Sequence, residues 1–321
     1  MKILVTGGAG FIGSHLCERL VLEGHTVNAL DDFSTGRASN LANLVHSNKF
    51  NLTEGSVLDF TVLNSLVKEA DYVFHLAAAV GVFNIVNNPL ASLLTNIRGT
   101  ENVLEAANST KTPVFVTSSS EVYGKNISDS LKESDDRILG SPVTLRWSYS
   151  EAKAIDESLA YAYFIERHLE TRIVRFFNTV GPRQLGAYGM VVPRFVKAAL
   201  DNDPITIYGD GTQTRCFAHV YDVVDAVVSI AFAENTIGKV INIGNDNEIS
   251  INDLAQKIIK ETNSKSKKIY VPYTEAYGDG FEDMERRVPN INLINELVGW
   301  KPKRNLSTMI ADIAAEMGKS S

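Results

Sequence analysis

The stretch that most restricts this chain is "KILVTGGAGFIGSHLCERL" at residues 2–20, a β-branched run that breaks into glycines and resumes as a helical pattern. Gly7, Gly10 and Gly13 fall at three-residue spacing between the first strand and the first helix. Glycine is needed where the backbone turns tightly, approaches a pyrophosphate and packs against a sheet. The helix that follows offers free N–H groups and a positive dipole end to phosphate. A glycine triplet alone is weak evidence, because tight turns use glycine everywhere. Its position at the first strand-to-helix junction adds weight, as does the acidic pair Asp31 and Asp32 closing the next strand. A carboxylate there suits the two ribose hydroxyls of NAD and repels the extra phosphate of NADP. Arg37, a few residues on, keeps NADP open.

The rest of the first half alternates short apolar runs with longer helical patterns. Strands are expected at 2–7, 26–31, 72–78, 113–119, 171–181 and 240–245, with helices from about Phe11 to Glu23 and over 88–109. Such alternation implies an α/β fold with a doubly wound parallel sheet. After Gly181 the character changes: a glycine-rich loop "GPRQLGAYG", a helix, the strand-and-turn "PITIYGDGTQTR", a helix at 251–262 and a last one near 306–317. These segments suggest a second, smaller lobe interleaved with the first. The expected division is 1–180 plus about 216–247 for the sheet domain, and about 181–215 plus 248–321 for the smaller lobe.

Composition removes several function classes. A net charge of −7 argues against a nucleic-acid binder, which usually carries a basic face. Two distant cysteines, Cys17 and Cys216, are too few for a disulfide framework or a cysteine-rich metal site and fit a reducing cytoplasm. Glycines interrupt the amino-terminal apolar run, unlike a signal peptide. The longest apolar stretch, "YVFHLAAAVGVFNIV", is shorter than a membrane span. His75 and His219 lack metal-ligand spacing, so no metal is expected. The chain therefore reads as cytoplasmic, with no membrane partner.

"YSEAK" puts Tyr149 and Lys153 four residues apart on one face of a predicted helix. A nearby ammonium lowers a phenol's pKa, which lets tyrosine take a proton from an alcohol. Ser119, at the carboxyl end of a parallel strand, lies at the edge where ligands of open α/β sheets collect. With "TGGAGFIG", "HLAA" (75–78), "RFFNTVGPRQ" and "YGDGTQTRCFAHVYDVVDA", the chain resembles the extended short-chain dehydrogenases/reductases that act on nucleotide sugars, over nearly its whole length. The resemblance implies a Rossmann domain holding NAD and a lobe holding a UDP-sugar. It implies Ser119, Tyr149 and Lys153 as the catalytic triad. Gly7, Gly10, Phe11, Ile12, Gly13, Asp31, Asp32, Asp59, Leu76, Ala77 and Ala78 would meet the cofactor, together with Tyr149 and Lys153. Asn178, Tyr208, Gln213 and Arg215 would meet the substrate. A homodimer is implied as well, through helices near 88–108 and 149–167, with Leu90, Leu93, Leu94, Leu159 and Phe164 at the interface. Asp222 has a plainer reading as the cap of the helix after it.

The stretch "TSSSEVYG" separates reactions within that family. Sugar dehydratases carry an Asp-Glu pair before "VYG"; here Ser120 stands in the first position and Glu121 in the second. Many 4-epimerases have small residues at both. Serine followed by glutamate resembles the UDP-glucuronate decarboxylases, and "YGDGFEDMERRVPNI" (277–291) matches the same group, placing its active-site arginine on Arg287. The expected chemistry is oxidation at C4, loss of the C6 carboxylate as carbon dioxide, and return of the hydride. Arg287 would hold the carboxylate, while Glu121 and Ser120 would manage protons at C5. The alternatives are a UDP-glucose or UDP-glucuronate 4-epimerase and, more distantly, a non-catalytic NAD(H) sensor.

Overall fold

The computed structural model describes residues 1–81, 85, 87–186, 190–272, 275, 284 and 286–319, without the side chain of Lys319. The whole "YGDGFED" stretch (277–283) and part of the loop at 181–189 therefore lie outside the described residues. In chain order the first half runs β1 (Lys2–Thr6), α1 (Phe11–Leu22), β2 (Thr26–Asp31), β3 (Phe50–Glu54), α2 (Phe60–Lys68), β4 (Tyr72–His75), α3 (Pro89–Thr110), β5 (Val114–Ser119), α4 (Ser148–Arg167) and β6 (Thr171–Phe176). The second half runs β7 (Thr179–Val180), α5 (Val191–Asp201), β8 (Ile205–Tyr208), β9 (Thr214–Cys216), β10 (Ala218–His219), α6 (Val220–Ala231) and β11 (Val240–Ile243). It closes with β12 (Glu248–Ser250), α7 (Ile251–Glu261), β13 (Lys268–Val271), α8 (Asn292–Val298) and α9 (Leu306–Lys319).

Seven strands form one parallel sheet in the order β11-β6-β5-β4-β1-β2-β3. From β1 the chain steps outward to β2 and β3, then crosses back to β4 on the other side of β1. The crevice between the carboxyl ends of β1 and β4 is thus the topological switch point, where α/β sheets bind ligands. Both faces of the sheet are covered, which is why its strands read as continuous apolar runs. Phe74, Phe115, Val174 and Ile241 belong to the core under one layer of helices, with Val73, Val114, Val116 and Ile173 under the other.

The short strands form two-stranded pairs: β12 with β9, β13 with β8, and β10 with β7. A third apolar cluster joins α5, α7 and α9 through residues such as Phe195, Leu254 and Ile310. Ile291, Ile294, Leu297 and Trp300, however, pack into the core of the large sheet. The segment around α8 thus sits on the large sheet although the sequence assigns it to the smaller lobe.

Two local readings change. The expected strand at 171–181 is two pieces, because Phe177 and Asn178 leave the ladder before β7. The cap of α6 is His219, whose imidazole accepts from the Tyr221 N–H. Asp222 lies inside the first turn and accepts from the backbone N–H groups of Lys303 and Arg304 and from the Arg304 guanidinium. It ties the chain's last stretch to α6 instead of capping. Of the residues expected between protomers, Leu90 is 68% exposed, but Leu159 packs on the sheet core and Phe164 lies against Gly238. The outward apolar side chains of α4 are Ile155, Tyr161 and Ile165.

Candidate active site

A cavity of about 480 Å³ runs along the carboxyl edge of the sheet. At one end stands the glycine loop. Gly7 has φ +71°, and a Cβ there would lie 2.7 Å from the Ala77 nitrogen, so β1 and the segment after β4 approach only because that residue is glycine. At Gly13 a Cβ would overlap the Gly7 carbonyl oxygen. No side chain caps α1, whose first turn carries no acidic residue. The first N–H groups of the helix therefore face the cavity with no side chain of α1 on them, as a pyrophosphate site requires.

Gly7, Gly10, Phe11, Ile12, Gly13, Asp31, Asp32, Leu76, Ala77 and Ala78 all line this end. Asp31 also braces the loop, accepting from the N–H groups of Ala9 (2.8 Å) and Phe33 (2.9 Å). Burial raises its carboxyl pKa against those two bonds. Asp32 accepts from the backbone and hydroxyl of Ser34. Asp59 stands apart: its carboxylate caps α2 by accepting from Thr61 and Val62, while Gly55 and Val57 line the cavity nearby. A helix start supplies a complete local reason for that aspartate. The donors and the glycine cradle fit a dinucleotide with free ribose hydroxyls.

The middle of the cavity holds Ser119, Tyr149 and Lys153. Ser119 is the last residue of β5, and Tyr149 and Lys153 lie one turn apart on α4. Lys153 is almost fully buried and donates to Thr117 O and to Asp156 Oδ2, each at 3.0 Å. Burial opposes its charge, yet Asp156 more than compensates and its pKa is raised. Tyr149 is held above the ordinary phenol value by burial first; Lys153 and the Ser119 hydroxyl pull it down, and the Glu121 and Asp156 carboxylates push it up. Beneath them a second buried pair, Arg175 with Glu157 (2.7 Å), takes the Ser118 hydroxyl as well. His75 bridges Thr6 and Thr100 below the floor.

The far end carries charge. β5 turns sharply through a 3₁₀ segment, Ser120–Tyr123, in which the Ser119 hydroxyl accepts from the Glu121 N–H. Tyr123 anchors the turn through its hydroxyl on Asn242 (2.8 Å). Ser120 is buried and lines the cavity, and Glu121 is held between two guanidinium groups. Arg146 reaches Oε2 and Arg287 reaches Oε1, both at 2.6 Å. Arg287 arrives from 166 residues away because its segment pairs with Leu131: Leu131 N–H donates to Val288 O and Asn290 N–H to Leu131 O. Arg286 points the other way and grips Glu248. Burial pushes the Glu121 carboxyl up, but Arg146 and then Arg287 hold it well below the usual carboxylate range. It is therefore an ionised acceptor, not a proton donor near neutral pH.

Asn178, Tyr208, Gln213 and Arg215 line the same cavity. Asn178 accepts from Arg287 at 3.3 Å and donates to Cys216 O. The Arg194 guanidinium lies 4.3 Å from the Tyr208 ring centre. Sequence reasoning missed Arg194 and Arg146, although Arg146 stands three residues before Tyr149 in "LRWSYSEAK". Among the described residues no three His, Cys, Asp or Glu side chains are placed to hold a metal ion. No helix among them is long and apolar enough to cross a membrane.

Known proteins resemble the chain over most of its length. A UDP-N-acetyl-alpha-D-glucosaminuronate decarboxylase of Bacillus cytotoxicus is 41% identical over 302 residues, covering 94% of this chain and 92% of the relative. UDP-glucuronic acid decarboxylase 1 of Danio rerio is 35% identical, over 94% of this chain and 69% of the relative. Among solved structures, the UDP-glucuronic acid 4-epimerase of Bacillus cereus, in complex with UDP-glucuronic acid and NAD, superposes with a TM-score of 0.90. It is 30% identical and covers the whole of both chains. A family model described as GDP-mannose 4,6 dehydratase matches residues 4–313. The chain belongs to that family, within the extended short-chain dehydrogenases/reductases.

Proposed function

We propose that the protein is an NAD-dependent decarboxylase of UDP-hexuronates. The observation that carries the reading is the pair Arg146 and Arg287 closing on one carboxylate beside Tyr149. A guanidinium fork matches a carboxylate, and a buried pair of them has no use for the neutral hydroxymethyl group of UDP-glucose. The decarboxylase relatives support the same choice.

Tyr149 takes the proton of the sugar's C4 hydroxyl, with the Ser119 hydroxyl and the Lys153 charge favouring its anionic form. Bound NAD supplies the hydride acceptor that makes C4 a ketone and later returns the hydride. With C4 oxidised, the C6 carboxylate belongs to a β-keto acid. Its C5–C6 bond breaks, the electron pair enters an enolate over C4 and C5, and carbon dioxide leaves. Arg287 orients that carboxylate. Glu121, ionised, fixes the arginines, so the proton for C5 comes from another group at the site or from water. Gly7, Gly10, Gly13 and the α1 terminus would hold the pyrophosphate, Asp31 and Asp32 the adenosine ribose, and Lys153 the nicotinamide ribose. Asn178, Arg215, Gln213 and Tyr208 would hold the UDP.

A division into cofactor and sugar lobes belongs to this proposal, with the segment around α8 counted on the cofactor side. A homodimer through the α3 and α4 faces that carry Leu90, Ile155, Tyr161 and Ile165 belongs to the same proposal, as does a cytoplasmic place for a chain with two buried free cysteines. Purified protein with UDP-glucuronate and, separately, UDP-N-acetylglucosaminuronate should yield the UDP-pentose or its N-acetylamino counterpart. An unchanged mass with inverted C4 favours the 4-epimerase reading instead.

A further inference from the structure

Arg287 does not hold Glu121 alone: Arg146 meets the same carboxylate through its other oxygen. Both guanidinium groups are buried, at 6% and 7% exposure. Their anchoring differs. Arg146 sits in the turn Leu145–Trp147, with Trp147 fully buried and its N–H bonded to Thr144 O, and that turn leads directly into α4. Arg287 comes from an extended segment, and its second bond, from Nη2 to Asn178 Oδ1, is long at 3.3 Å. Arg146 is fixed to the catalytic helix, whereas Arg287 has donors to give.

We propose that Arg146 is a positioning residue that keeps Glu121 ionised and in place while Arg287 turns from it to the C6 carboxylate of the substrate. The inference rests on the hexuronate reading above. Charge counting gives the reason. Among the described residues, two guanidinium groups and Glu121 leave one net positive charge, which a substrate carboxylate neutralises. Without Arg146, two carboxylates would share one guanidinium, and like charges at that distance force one of them to take a proton. Among the described residues, the groups that face Glu121 are Arg146 from the turn before α4, Tyr149 from α4 itself and Arg287 from the segment paired to Leu131. The neutral Ser119 hydroxyl lies beside it on the β5 side, and Asn178 stands behind Arg287. No other charged partner is available to replace Arg146 among the described residues in contact with the carboxylate.

The test is a double-mutant cycle on the NAD-loaded protein: Arg146→Met, Glu121→Gln and the pair, with Arg146→Lys as the charge-conserving control. Two quantities are measured across pH: carbon dioxide release from UDP-glucuronate, and the affinity for UDP-glucuronate against UDP-glucose. Arg146→Met should lower kcat and develop an acid limb at or above about pH 4.3, the ordinary glutamate value, that wild type lacks. Arg146→Lys should recover part of the loss. In the Glu121→Gln background Arg146→Met should add little, a coupling of up to ~10²-fold. A wild-type pH profile in Arg146→Met, or an equal loss in both backgrounds, overturns the proposal. Should Arg146→Met not fold, the same cycle run with Arg146→Gln, which removes the charge but keeps a polar side chain, decides the matter by the same two outcomes. Absence of carbon dioxide release by wild type from both UDP-glucuronate and UDP-N-acetylglucosaminuronate sinks the decarboxylase reading instead. The affinity cycle then decides for Arg146 by itself: selective weakening of UDP-glucuronate supports it, and equal weakening of both sugars overturns it.

Discussion

Replacing Glu121 by glutamine tests the electrostatics at the far end of the cavity with the least change of shape. In the wild type one carboxylate accepts from two buried guanidinium groups at 2.6 Å. Removing one member of a buried ion pair costs about 3–5 kcal/mol. The amide oxygen keeps one charge-assisted hydrogen bond, worth about 1.5–3 kcal/mol, while the NH₂ group faces the other guanidinium with no acceptor. The balance is a destabilisation of ~2 kcal/mol, toward the low side because the Glu121 side chain is 15% exposed. The informative part is the response to ligand. UDP-glucuronate brings a new carboxylate to Arg287 and should restore part of the stability in Glu121→Gln, whereas UDP-glucose should not. Urea denaturation of the NAD-loaded protein with each sugar measures both effects. A variant as stable as wild type, or equal stabilisation by the two sugars, refutes the reasoning.

Tyr149→Phe should bind NAD and the UDP-sugar but lose ~10²–10⁴-fold in turnover, because only proton abstraction is removed; steady-state kinetics with parallel calorimetry checks this. Burial, and for His75 the Lys153 charge, lower His15 to about 4 and His75 to about 3. Both folded values lie below the unfolded one, so the stability they carry is complete above about pH 6.5 and is lost as pH falls toward 4. The shift of His15 corresponds to roughly 3 kcal/mol, and denaturation midpoints that stay flat from pH 7 to pH 5 would contradict it. Ile155→Asp with Ile165→Asp should convert a dimer to a monomer by light scattering at micromolar concentration; an unchanged mass removes that face of α4 from the interface.

The glycine loop, the strand alternation and "YSEAK" were legible because each is contiguous, and its chemistry follows from spacing alone. The cavity gathers all of these stretches because the strand order reverses between β1 and β4, which local periodicity signals only indirectly. Asp59 shows the limit of a residue read by resemblance: its carboxylate is already engaged at a helix start, by the N–H groups of Thr61 and Val62. Strand β3, "FNLTE", went unread because its alternation is weak and only Phe50 is buried. Arg146 was invisible for a different reason. An arginine in a turn before a helix is usually solvated, and only the fold shows it sealed against Trp147 and aimed at Glu121. Likewise, the choice between Arg286 and Arg287 depends on which side of an extended segment faces the sheet, and the Leu131–Pro289 bridge sets that side.

On the proposed function, this site removes the C6 carboxylate of a UDP-hexuronate. The direct measurement is turnover of UDP-glucuronate isotopically labelled at C6, following released carbon dioxide and the nucleotide-sugar product together. The label should leave entirely as carbon dioxide, one equivalent for each UDP-pentose formed, with no net consumption of added NAD. Label retained in a product of unchanged mass and inverted C4 configuration would contradict the proposal.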